Sequence, residues 1–122
     1  MICSNKIYLK NGGEFLVGIR DNHLIAMGAL RRISINSAEI KRMRVDPAFQ
    51  RKGLGQAILN SLEKRARELG YKKLHLDTTM KQVVAQKFYE KNGFQIIRRS
   101  KLAGFECLFY EKSLILTASK CQ

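Results

Sequence analysis

The sequence predicts a mixed α/β domain: a mostly antiparallel sheet interrupted by one central, parallel β-α-β crossover. Three observations carry this. Strand-like runs separated by turn residues occupy the first third of the chain, and two more close it. A single apolar stripe of helical period runs from Gly53 to Leu69. Strand patterns at Ile40–Val45 and Lys73–Thr78 flank that helix, so the crossover makes them parallel neighbours.

In chain order, residues 1–13 read as a short N-terminal segment ending in a Gly12–Gly13 hinge, and residues 14–114 as the core of a single domain. A chain of 122 residues builds one hydrophobic core and not two. Phe15–Arg20 suits a strand, "RDNH" at Arg20–His23 is a turn, and Leu24–Leu30 returns as the second arm of a hairpin. After Asn36 and Ser37, "AEIKRMRV" alternates, with Ile40, Met43 and Val45 apolar; a phase slip at Lys41–Arg42 marks a bulge. Asp46–Pro47 ends the strand, because proline cannot donate to the ladder. The helix that follows places Leu54, Ala57, Ile58, Leu62, Ala66 and Leu69 on one side. Asn60, Glu63, Lys64, Arg67 and Glu68 fall on the other, and Gly70 is the stop. Lys73–Thr78 is a strand, Gln82–Lys91 a shorter helix halted by Asn92–Gly93, and Phe94–Ser100 and Phe105–Leu114 are paired closing strands.

The segment "FQRKGLGQA" at Phe49–Ala57 poses the functional question. A P-loop, which needs G-x-x-x-x-G-K-[ST], does not fit. A dinucleotide fingerprint fits only in part: Gly53 and Gly55 supply its first pair, but Ile58 stands at the third position and Pro47 separates the loop from its strand. Asp77, near the end of the next strand, stands where a ribose-binding acid would, which keeps a nicotinamide reading open at this point. In a third reading the backbone from Gln50 to Gln56 wraps a pyrophosphate at the helix N-terminus. Gly53 and Gly55 permit close approach there, and Arg51 and Lys52 add charge. A glycine-rich helix start without a ligand is the plain alternative.

The order "MRVDPAFQRKGLGQAIL" (Met43–Leu59), then a helix ending "ARELGYKKLHLDT", then "AQKFYEKNGF" (Ala85–Phe94), resembles the GNAT superfamily of N-acetyltransferases. The family's Q/R-x-x-G-x-G/A loop is matched by Gln50, Gly53 and Gly55, and its alanine followed by Y-E-K-x-G-F by Ala85 and Tyr89–Phe94. The resemblance runs from about Glu14 to Leu114. It implies acetyl-coenzyme A as cosubstrate and a primary amine as acceptor, and it leaves that amine unnamed. Two departures stand out. Family members usually carry one or two helices before the first hairpin, which help form the acceptor site, whereas here residues 1–12 alone precede Gly13. Many also have asparagine three residues before the alanine, where this chain has Gln82.

The resemblance further implies that the strand ending at Val45 splays from the strand beginning at Lys73. The pantetheine arm would then pair with backbone at Met43, Arg44 and Val45. Gln50, Arg51, Lys52, Gly53, Leu54, Gly55 and Gln56 would hold the pyrophosphate, and Gln82 would lie beside pantetheine. Tyr89 is the expected acid for the leaving thiolate, and Glu39 the expected base for the amine, directly or through water. A solvated Glu39 paired with Lys41 is an equal reading; Asp77 and Glu90 are further candidates for the base. Cys107 reads as packing, since a bound amine attacks a thioester without a covalent intermediate.

Composition narrows the rest. Lys and Arg number 23 against 10 acids, a net charge of +13, which favours acidic partners: phosphorylated cofactors, nucleic acid or anionic surfaces. That charge alone supports a rival reading, an acyl-coenzyme A- or RNA-binding module without catalysis. Cys3, Cys107 and Cys121 form no C-x-x-C pair, and His23 and His75 are isolated, so no metal site is expected. No apolar run is long enough for a membrane span, and the expected location is the cytoplasm. A homodimer is expected to be able to cover what the short N-terminal segment leaves open.

Overall fold

The computed structural model describes residues 3–8, 14–102 and 104–115; the predicted Gly12–Gly13 hinge and Cys121 lie outside them. Strands β1 (Cys3–Tyr8), β2 (Glu14–Arg20), β3 (His23–Arg32) and β4 (Ser37–Val45) precede helix α1 (Leu54–Glu68). Strand β5 (Lys73–Thr79), helix α2 (Val83–Lys91), β6 (Gln95–Leu102) and β7 (Phe105–Ser113) follow. The seven strands form one sheet in the order β1-β2-β3-β4-β5-β7-β6, antiparallel except where β4 meets β5. This is the mixed α/β fold with a central crossover that the sequence predicts. The number of strands before the first helix is four rather than three. Strand β1 has the mixed composition CSNKIY, which carries no clear alternation, and it owes its place to the backbone ladder with β2, from Cys3↔Ile19 to Tyr8↔Glu14.

The β2–β3 hairpin turns on Asp21 and Asn22, with φ of 51° and 63°, the left-handed pair a two-residue hairpin loop requires and that Asp and Asn tolerate. Asp46 ends β4 as expected; its carboxylate accepts from Ala48 N at 2.8 Å and caps a 3-10 turn over Pro47–Phe49. Helix α1 stops at Gly70, where Tyr71 N–H reaches Ala66 O at 3.0 Å.

Both helices pack on one face of the sheet. On β5, Leu74, Leu76 and Thr78 are buried opposite Lys112, Tyr110 and Leu108 of β7. From the helices, Glu63 of α1 takes the Lys112 ammonium at 2.9 Å, and Glu90 of α2 accepts from the Tyr110 hydroxyl at 2.9 Å. Leu16, Leu30, Ala38 and Ile40 from β2–β4 meet Leu54, Ile58, Leu59 and Leu62 there to make the core. Glu63 corrects the sequence reading, which put it on the solvent side. It is 7% exposed, because the buried stripe of α1 is wide enough to include Leu59 and Glu63 and because β7 offers it a cation.

The opposite face is charged in its middle. Arg31 pairs with Glu39 at 2.8 Å, Lys41 with Glu39 at 3.6 Å, and Lys73 with Glu111 at 3.6 Å. Cross-strand pairs of this kind suit a wetted surface.

Candidate active site

The site begins where β4 and β5 part. They pair only at Ser37↔Lys73, Ala38↔Leu74 and Glu39↔His75, so the predicted parallel neighbours Ile40–Val45 and Lys73–Thr78 are joined at one end and splayed beyond it. The cause lies in β4. Its register with β3 steps from Ala29↔Lys41 to Met27↔Arg44, which leaves one extra residue on β4, and Arg42 takes φ +57° to absorb it. An arginine in the left-handed region costs roughly 1 kcal/mol, strain that concentrates at functional positions. Gly28 sits opposite the bulge with no room for a side chain. A Cβ there would lie 2.7 Å from Ile58 Cγ2 and 2.9 Å from Met43 Sδ.

The parted strands enclose a cleft of about 860 Å³. Asp46 N–H bonds Ile25 O on β3 at 2.8 Å. Because peptide groups alternate along a strand, Met43 and Val45 turn theirs the other way, to the opening. Gln50 Nε2 donates to Val45 O at 3.0 Å and ties the following loop to the strand end. Beyond it Arg51 has φ +63° and Gly53 φ +82°. Gly53 caps α1 with nothing within 4 Å of where a Cβ would stand. Among the described residues, no acceptor takes the backbone N–H groups of Arg51 through Gln56, so a fan of free donors stands at the positive end of α1. This donor set fits a pyrophosphate.

Helix α2 supplies the other wall through Gln82, Ala85 and Tyr89. The Thr78 hydroxyl donates to Gln82 Oε1, which leaves the Gln82 NH₂ available to the cleft. Tyr89 is 9% exposed, held by Phe88, Phe94 and Tyr110 at ring distances of 5.3, 5.7 and 6.5 Å. Burial pushes its hydroxyl up to about 12, and among the described residues that hydroxyl has no hydrogen-bond partner. It is a protonated donor at neutral pH.

Of the residues singled out in the sequence, Met43, Arg44, Val45, Gln50, Gln82 and Tyr89 line the cleft together. Arg51, Lys52, Gly53 and Gly55 stand in the adjoining loop and helix start, while Leu54 is buried in the core. Lys52 lies 5.9 Å over the Phe49 ring. The Gln56 side chain is turned away, donating to Asn60 at 2.9 Å and Asn92 at 2.7 Å, so only its N–H remains at the loop. Glu39 does not reach the cleft. It sits at the closed end of the strand pair, bound to Arg31 and Lys41. The reason is its place along the strand: Glu39 faces the same side as Lys41 and Asp77 but lies at the last paired position, below the opening.

Asp77, a further candidate for the base in the sequence, lines the cleft, is exposed, and has no partner among the described residues. Its signal in the sequence is its place at the far end of β5, two residues past His75. The sequence also gave no weight to Thr78 and read Arg42 only as a phase slip; both line the cleft.

A seven-stranded sheet opened between its two parallel strands, with free backbone donors at a helix start, defines an acyl-coenzyme A-dependent transferase. Comparisons agree. The family model described as Acetyltransferase (GNAT) family matches residues 3–94. The chain is 31% identical over 101 residues to the [ribosomal protein bS18]-alanine N-acetyltransferase of Escherichia coli K12, covering 80% of this chain and 68% of that one. A GNAT-family acetyltransferase from Staphylococcus aureus Mu50 superposes with a TM-score of 0.80 at 28% identity, over 88% of this chain and 72% of the other. The PaiA N-acetyltransferase of Thermoplasma acidophilum, in complex with coenzyme A, superposes with a TM-score of 0.71 at 27% identity, over 81% and 59%.

The chain belongs to the GNAT acetyltransferase family. It is an N-acetyltransferase that carries an acetyl group from acetyl-coenzyme A to an amine. The nicotinamide reading therefore falls. No described helix is long and apolar enough to cross a membrane.

Proposed function

We propose that the enzyme joins its two substrates inside the cleft, with the donor arriving from the helix face and the amine from the charged face. One observation carries this. The cleft is lined on one side by Gln50, Thr78, Gln82, Ala85 and Tyr89, and on the other by Met27, Lys41, Arg44 and Asp77. The loop from Arg51 to Gly55 holds the pyrophosphate on free N–H groups, and Met43, Val45 and Gln82 offer donors and acceptors to the pantetheine amides.

Acetyl-coenzyme A supplies a thioester carbonyl, open to attack by a neutral amine. Asp77, alone or through a water, takes the ammonium proton, and the free nitrogen forms the new C–N bond as the C–S bond breaks. Tyr89 donates its proton to the sulfur that leaves, and the second proton shed by the new amide nitrogen restores it through solvent. The N–H groups of β4 that face the opening lower the barrier by meeting negative charge on the carbonyl oxygen. The E. coli relative acts on the alanine of a ribosomal protein, and an exposed amine of a protein or small metabolite reaches this cleft equally well from the open face.

Thermal denaturation with acetyl-coenzyme A tests the donor half: the melting temperature rises, and Gly53→Glu removes the rise by filling the loop with a negative side chain. No stabilisation of the parent protein by any acyl-coenzyme A would overturn it. Steady-state rates test the rest. Asp77→Asn lowers kcat by about 100-fold, the typical scale for a lost acid or base, while Glu39→Gln changes it little. A large loss in Glu39→Gln with little change in Asp77→Asn would return the base to Glu39.

A further inference from the structure

Three cations stand at one rim of the cleft within four residues of β4: Lys41, Arg42 and Arg44. Lys41 has Glu39 at 3.6 Å, while Arg42 and Arg44 have no ion-pair partner among the described residues. The register places Lys41 opposite Ala29 and Arg44 opposite Met27, on the face away from the helices, and Asp77 is on that same face of β5. The loop that fits the pyrophosphate lies beyond Val45, on the helix side. Lys41 is about 13 Å from Val45 along an extended strand and so is no neighbour of that loop; Arg44, next to Val45, is set apart from it by facing the other side of the sheet. Arg42 is the left-handed residue of the β4 bulge. The amine entrance thus presents one free carboxylate, Asp77, beside two arginines, Arg42 and Arg44, that have no ion-pair partner among the described residues.

We infer that the acceptor is an amine carrying carboxylate groups: an acidic amino acid, or a chain terminus followed by acidic side chains. Its ammonium faces Asp77, and its carboxylates meet Arg42 and Arg44, with Lys41 in support. Guanidinium–carboxylate pairs are directional and bidentate, so they orient the amine toward the thioester as well as attract it. This rests on the reading above in which the amine enters from the charged face.

The test compares matched acceptors at saturating acetyl-coenzyme A: aspartate with asparagine, glutamate with glutamine, and short peptides with free N-termini carrying Asp-Glu or Asn-Gln. The acidic member of each pair is expected to show a kcat/KM about tenfold higher, a gap that narrows as salt is raised. Free amino acids against peptides tells which source supplies the carboxylates. In Arg42→Glu/Arg44→Glu the preference inverts toward the neutral member. Because each ratio is taken within one variant, changes in stability or cofactor affinity cancel.

A neutral member equal to or better than the acidic one would overturn the inference, as would a variant in which the ratio stays the same. Acetylation of no amine by a protein that acetyl-coenzyme A stabilises would also overturn it. Inhibition by a short RNA without any preference for acidic acceptors would assign the cations to phosphate instead. Failure of the donor reading shows separately, as absence of stabilisation by acetyl-coenzyme A.

Discussion

At the scale of single residues, Tyr89, the proposed acid, shows how packing keeps a hydroxyl protonated. Three aromatic rings hold it, and burial without a partner raises its pKa to about 12. Between about pH 7 and pH 10 it therefore stays protonated, whereas an ordinary tyrosine would be half ionised at the upper end. Tyr89→Phe is expected to lower kcat by about 100-fold with little change in the KM for acetyl-coenzyme A. The ratio of parent to variant rates should hold constant across that pH range; a ratio that collapses toward pH 10 would show an unshifted hydroxyl. The raised pKa also bears on stability. Tyr89 and Tyr110 are both raised to about 12, so their contribution is complete below about pH 10 and is lost as pH climbs through 12. Glu63 is a second case. Its carboxylate lies 2.9 and 3.0 Å from the Lys112 ammonium, under the helix. Glu63→Ala strands that ammonium and should cost about 2 to 3 kcal/mol, a fall of roughly 10 °C in melting temperature.

At the scale of elements, the cleft follows from the splayed strand pair, and Gly28 lies opposite the β4 bulge, packed under α1. A methyl group at Gly28 collides with Ile58, Met43 and Leu62 at once, so α1 cannot keep its distance from β3. Gly28→Ala is expected to destabilise the fold by about 1 to 3 kcal/mol and to weaken acetyl-coenzyme A binding through displaced Met43, read by denaturant unfolding and by calorimetric titration. Most of these elements were legible in the sequence, because their signals are local. The Asp-Asn turn, the proline after β4, the stripe of α1, Gly70 and the phase slip at Lys41–Arg42 each follow from a few neighbouring residues. Strand β1 was not legible, since its strength is a ladder to β2 rather than a pattern of its own. Glu63 was misread because its reason for burial, Lys112, comes from 49 residues away. The same limit applies to the proposed base: that Glu39 is ion-paired while Asp77 has no partner among the described residues depends on where two strands stop pairing, which no local pattern encodes.

At the scale of the whole molecule, a net charge of +13 is spread over a sheet that is covered by helices on one face and by ion pairs at the centre of the other. The charged face is the route by which the proposed acceptor arrives, and its cations favour acidic molecules at a distance as well as in contact. The proposed reading, in which donor and amine enter the opening between β4 and β5 from opposite faces of the sheet, has a kinetic consequence. Two ligands that use opposite mouths of one passage do not obstruct each other, so neither must bind or leave first. Initial-rate plots should intersect, as for a ternary complex, and never run parallel as they would for an acetylated enzyme. Coenzyme A should compete with acetyl-coenzyme A yet inhibit non-competitively against the amine, and the acetylated product should show the reverse pattern. Strict exclusion of one substrate until the other is bound would mean that the passage closes between turnovers. A slit in a sheet would then act as a valve, whereas the open geometry makes it a crossing point with two independent lanes.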